Sequence, residues 1–153
     1  MKTQPIDPSS AQTNIEQRMR TVRTLWLAMT MSVVMYYVFT RIAGRPENVH
    51  PNPQLSLALL VVAVATTLIS FVIKSKLVGK AIEQRQVQHV QQGYLVAWVV
   101  TEIAALLGLV DFFTTGHAHF YVPLIIAAIG QLLHFPRREH FERAALVPGS
   151  PNF

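Results

Sequence analysis

Cysteine is absent from this chain of 153 residues, which excludes a disulfide framework and any cysteine-based metal site. Charge is scarce too: Asp, Glu, Lys and Arg make up 14% of the residues, against about 25% in an average soluble domain. Also missing are the short motifs of common chemistries: a glycine-rich phosphate loop, a nucleophile elbow, an H-E-x-x-H helix and acids at paired catalytic spacing. Neither an enzyme nor a bound cofactor is expected. The first apolar run begins after Arg18, Arg20 and Arg23 and lacks a small-residue cleavage site near its end, so it reads as a retained helix.

What the chain has instead is apolar length, with 51% hydrophobic residues gathered into four runs. The expected fold is an all-α, polytopic membrane protein: one antiparallel four-helix bundle over residues 13–146, with helices near 22–41, 54–74, 93–113 and 119–135. Residues 1–12 and 147–153, with their prolines, serines and glycine, read as disordered tails. Thr13-x-x-Glu16 has the form of a capping box at the start of order. Trp26 near one end of the first run and Tyr36-Tyr37 near the other suit the two interfacial aromatic belts. Gly44, Pro46, Pro51 and Pro53 make the first connection a loop. Past the second run, Leu77, Val78, Ala81 and Ile82 keep helical spacing among lysines, as an amphipathic extension does. Gln84 to Gln92 reads as a flexible polar loop with re-entry at Gly93. Pro123 lies in the first turn of the last run, Pro136 closes it, and Glu139 to Leu146 reads as an interfacial helix resting on Phe141 and Leu146.

Lys and Arg set the orientation. The N-terminal segment, the Lys74 to Arg85 loop and the Arg137-Arg138 exit share one side only if the chain crosses four times, so both termini are expected in the cytoplasm, N-in/C-in. Arg41 and Arg45 stand against that pattern. The net charge of +5 is concentrated beside apolar runs, which points to anionic headgroups rather than nucleic acid, with Lys74, Lys76, Lys80, Arg85, Arg137 and Arg138 as the contacting cations; setting topology alone is the commoner role for such residues.

The candidate site is Glu102, a carboxyl near the middle of the third run. An acid there must be neutral, paired or turned toward protein, and the neutral acid is its expected state. By a rise of about 1.5 Å per residue, Thr66, Thr67 and Ser32 lie at similar depth and are its expected hydrogen-bonding or ion-coordinating neighbours. Asp111, His117 and His119, with His50 from the other loop, form a minor alternative set for zinc or copper, although solvated loop histidines are the commoner case. Gln131 and His134 read as interhelical or headgroup contacts, with a proton-relay step as the lesser alternative. Ala104, Ala105, Gly108, Ala127, Ala128 and Gly130 form small-residue faces suited to close helix association.

Two family resemblances bear on these residues. Thr101-Glu102-Ile103-Ala104-Ala105-Leu106-Leu107-Gly108-Leu109-Val110 resembles the T-E-A-x-A-x-x-G-L-V stretch of rotary ATPase proteolipid (c-type) subunits, and Arg85-Gln86 stands where that family has R-Q-P. The resemblance implies that Glu102 is a protonatable ion carrier; Val87 replaces the loop proline, and the second run has no glycine. Glu102, Leu107 to Val110, Thr115-Gly116 and Phe135 to Arg138 together resemble the second half of small bacterial four-helix integral membrane proteins of unassigned function. That likeness implies a multi-pass protein of the bacterial inner membrane and carries no activity. The expected function is a non-enzymatic structural or accessory component that forms homo-oligomers or associates with other membrane proteins. The alternative is an oligomeric subunit that translocates protons or ions through Glu102.

Overall fold

The computed structural model describes residues 8–44 and 49–145, with side chains from Gln12 onward in the first helix. The expected tail at 147–153 and the residues before Pro8 lie outside the described range. Five helices are present in it: α1 (Pro8–Ala43), α2 (Pro53–Glu83), α3 (Val87–Thr115), α4 (Tyr121–Leu133) and α5 (Arg138–Ala145). Three are long and apolar enough to cross a membrane, from Gln12, Pro53 and Val87; α4 is apolar but has only 13 residues.

The helices are longer than their apolar runs, because packing continues past the point where charge begins. α1 is already helical at Pro8, so Thr13 and Glu16 lie within it and do not cap it, and part of the expected tail is helix. α2 has a true cap: the Asn52 side chain accepts from the Leu55 amide at 3.1 Å, and Pro53 occupies the first turn, where a missing amide costs nothing. It continues to Glu83 because Val78 and Ala81 remain buried, and α3 starts at Val87 rather than Gly93 because Val90 is buried opposite them. The glutamine-rich piece is therefore mostly helix. Only Gln84 to Gln86 turn, with Arg85 in the left-handed region at φ 55°. The Gln86 amide reaches Ala81 O at 3.0 Å and the Arg85 amide reaches Ile82 O at 3.1 Å. This is the Schellman closure, made here without its usual glycine.

α3 is the central strut. Ser56 meets Asp111, and Ser70 meets Thr101, so α2 runs antiparallel to it. Ser32 meets Glu102 and Phe39 meets Phe113, so α1 runs parallel to it. α4 returns along it: the Phe120 ring lies 4.7 Å from that of Phe112, and the Arg137 amide donates to the Tyr94 hydroxyl at 3.0 Å. Between those contacts α3 rises roughly 27 Å. Among the described residues α1 lies close to α3, α4 and α5, while its backbone makes no close approach to α2, its neighbour in sequence.

Two apolar clusters fill the interior. At the α5 end, Met19, Val22, Val78, Val90, Tyr94, Trp98 and Phe141 bring together four helices with large side chains. Further along, the cluster is made of Val33, Ala63, Ala104, Ala105, Leu124 and Ala127. Gly130 is fixed by the same close approach: a Cβ there would lie 2.7 Å from Thr101 Cγ2 and 2.9 Å from Thr67 Cγ2. The large apolar residues point the other way. Met35, Val61, Leu68, Val99, Ile129 and Leu133 are all more than half exposed, a distribution suited to hydrocarbon surroundings rather than water.

Candidate functional site

Glu102 lies on the flank of α3 that faces α1. Ser32 and Tyr36, one turn apart on α1, share a helix face, and both hydroxyls lie 2.7 Å from Glu102 Oε1. Ser32 Oγ is also 2.7 Å from Met29 O. The one Ser32 proton is thus shared between the Glu102 carboxyl and Met29 O, while the Tyr36 hydroxyl donates to the same Oε1. The residue is half-buried, and its Oε2 accepts no hydrogen bond among the described residues. Beside it, Val99, Ile103 and Leu106 face outward.

The expected threonines do not join Glu102. Thr66 is spent on Val62 O and Ala63 O, at 2.9 and 3.0 Å. Thr67 donates to Ala63 O at 2.9 Å and sets its methyl against Gly130. Depth was matched, but the azimuth around α2 differs. Those residues border another polar layer, which spacing alone does not announce. Thr101 donates to Ser70 Oγ at 3.0 Å, and Ser70 Oγ lies 2.7 Å from His134 Nε2. The Phe71 ring covers His134 at 4.2 Å. Gln131 Nε2 donates to Trp98 O at 3.1 Å, and Trp26 Nε1 donates to Gln131 O at 2.8 Å. Gln131 and His134 are thus interhelical ties, and Gln131 Oε1 and His134 Nδ1 are buried without a partner among the described residues.

Asp111 is the other acid of α3, and it faces α2. It is 1% exposed, with Ser56 donating to Oδ2 at 2.9 Å and Thr115 to Oδ1 at 2.6 Å. These bonds remove it from the suggested metal set. His117 and His119 approach each other, Nδ1 to Nδ1, at 3.3 Å, while His50 is exposed on the other loop. No three His, Cys, Asp or Glu among the described residues gather as metal ligands.

The chain matches no family model, no curated protein and no solved structure. Its chemistry has to be read from these side chains.

The expected headgroup cations fall at the α5 end but are not equivalent. Lys76, Lys80, Arg85, Arg137 and Arg138 are exposed, whereas Lys74 is half-buried with Nζ 4.8 Å from the centre of the Tyr94 ring. Arg138 pairs with Glu142, and Arg143 with Glu139, along exposed α5. Phe141 is fully buried, anchoring α5 as expected; Leu146 lies outside the described residues. His140 was not singled out by the sequence. Its Nδ1 lies 2.7 Å from the Tyr94 hydroxyl, which also accepts from the Arg137 amide. Burial, then Lys74 and Arg137, hold the His140 pKa below the usual histidine value, against a small opposite effect of Glu139.

Proposed function

We propose that this chain is a non-enzymatic, multi-pass membrane protein with four crossings and both termini cytoplasmic, acting as a structural or accessory component through lateral association at Glu102. The observation that carries the reading is the open Oε2 of a half-buried carboxyl among outward-facing apolar side chains. In hydrocarbon such an oxygen lacks a donor until another helix brings one, either from a second copy or from another membrane protein. The small residues expected to serve association do not offer that surface. Ala104, Ala105, Gly108, Ala127 and Gly130 are buried within the bundle's own packing. Support for a fourth crossing comes from the return of the Phe120 to Arg137 segment along about 27 Å of α3, close to a hydrocarbon thickness of about 30 Å. Support for the orientation comes from the gathering of lysines and arginines at the α5 end.

A second reading, proton or ion translocation by an oligomer, draws on the hydroxyl chain Tyr36–Glu102–Ser32, which gives a carboxyl proton defined partners. Glu102→Gln and Glu102→Leu separate the two. Native mass spectrometry from nanodiscs should show a defined oligomer or partner for the wild type and the glutamine variant, and its loss in the leucine variant. A monomer without partners in the wild type would overturn association. Proton flux in proteoliposomes that Glu102→Gln abolishes while assembly persists would establish translocation instead.

A further inference from the structure

The end of the bundle opposite α5 carries two adjoining cavities that share one wall. One is an apolar trough of about 620 Å³ between α1 and α4, floored by Val33, Val34, Leu124, Ile125 and Ala128. The other is a smaller chamber of about 230 Å³ whose lining includes Thr40, Phe112 and His117. Arg41, Ala118 and Phe120 border both. Along α1 the trough runs from Val33 to Arg41, roughly 12 Å, with Tyr37 between them. Arg41 is exposed and takes part in no ion pair among the described residues.

We infer that this end binds one anionic glycerophospholipid, with an acyl chain in the trough and the phosphate at Arg41 beside His117. The inference rests on the membrane reading but not on any role for Glu102. Charge complementarity identifies the occupant. A guanidinium at the mouth of an apolar trough, with Thr40 and His117 in the adjoining chamber, meets the two halves of an amphiphile at once, and its planar donors suit phosphate oxygens. The same feature accounts for a cation on the side where orientation rules disfavour one. A zwitterionic lipid fits the trough equally well but brings an ammonium group that opposes Arg41.

The test uses the full-length protein in nanodiscs made with equal parts phosphatidylglycerol and phosphatidylcholine, released gently for native mass spectrometry. One phosphatidylglycerol should be retained in preference to phosphatidylcholine. Arg41→Gln should lower its retention about fivefold, the effect of one cation near a lipid phosphate, while Arg41→Lys keeps part of it. Ala128→Leu, which leaves the charge and fills the trough floor, should lower retention as well, so the result does not hang on one variant folding. Equal retention of the two lipids, no retained lipid, or retention that falls with Lys76→Gln, Lys80→Gln and Arg138→Gln rather than with Arg41→Gln would each overturn the assignment. Glu102→Leu should leave retention unchanged, so loss of association and loss of lipid are told apart.

Discussion

Glu102 and Asp111 are two acids on one helix, nine residues or about two and a half turns apart, so they point to opposite sides of α3. Asp111 faces α2, is almost fully buried, and has a hydroxyl donor on each oxygen. Glu102 faces α1, is half-buried, and has both hydroxyl partners on a single oxygen. The first is a closed arrangement, complete within the chain; the second leaves an acceptor to be met from outside. Spacing and residue type are nearly the same for both, and the packing partner decides which acid is structural and which is available.

The contrast is broken most directly by removing each acid in turn. Asp111→Ala leaves the Ser56 and Thr115 hydroxyls facing an empty site and should cost about 3 kcal/mol. Glu102→Ala, at a half-open site, should cost about 1 kcal/mol. Thermal or SDS-induced unfolding in one detergent measures both, and equal losses would erase the distinction. Between those two in size is Gly130→Ala, placed where α4 closes on the α2–α3 seam. The atoms it would meet are Thr methyls on stiff β-branched side chains, so a loss of about 2 kcal/mol is expected. A neutral result would mean that the Thr67–Thr101 layer can move and that the closed side of α3 is not rigid.

The smallest effect concerns pH. His140 binds its proton less readily in the folded chain than in the unfolded one, where its pKa is about 6.5. The full contribution of the Tyr94–His140 contact is therefore present above about pH 6.5. It is lost as pH falls through the lowered folded value, when the charged imidazole faces Lys74, Arg137 and Arg143, with Glu139 as a counter-charge. Proteolytic release of α5 should rise on acidification. His140→Asn should flatten that dependence, while Asp111→Asn and Glu102→Gln should retain it. Retention in those two variants would assign the acid response to neither carboxylate.

Much of the bundle was legible in the sequence, because long uncharged runs separated by Gly, Pro and cationic segments leave little choice but helices. Helix ends were less so. Buried Val78, Ala81 and Val90 extend α2 and α3 beyond their hydrophobic cores, and Arg85 adopts a conformation that sequence assigns to glycine. At the site, Ser32 was found by depth alone. Tyr36 was read as an interfacial aromatic, although its spacing of four from Ser32 places both on one face of α1. Thr66 and Thr67 were misplaced because α2 is apolar almost all round, so depth could be counted but rotation about the axis could not. The Ser70–Thr101–His134 layer joins residues 31 and 64 positions apart, and no local pattern links them.

The separation of α1 from α2 has a bearing on how the chain is put together during synthesis. A newly made α1–α2 pair makes no close backbone approach among the described residues, so α1 meets most of its final neighbours only when α3 and α4 have been delivered. Trp26 must wait for Gln131, more than a hundred residues later, and Ser32 must wait for Glu102. α1, made before α2, is thus packed after it, and until then its polar face is open to whatever helper or neighbouring helix the bilayer supplies.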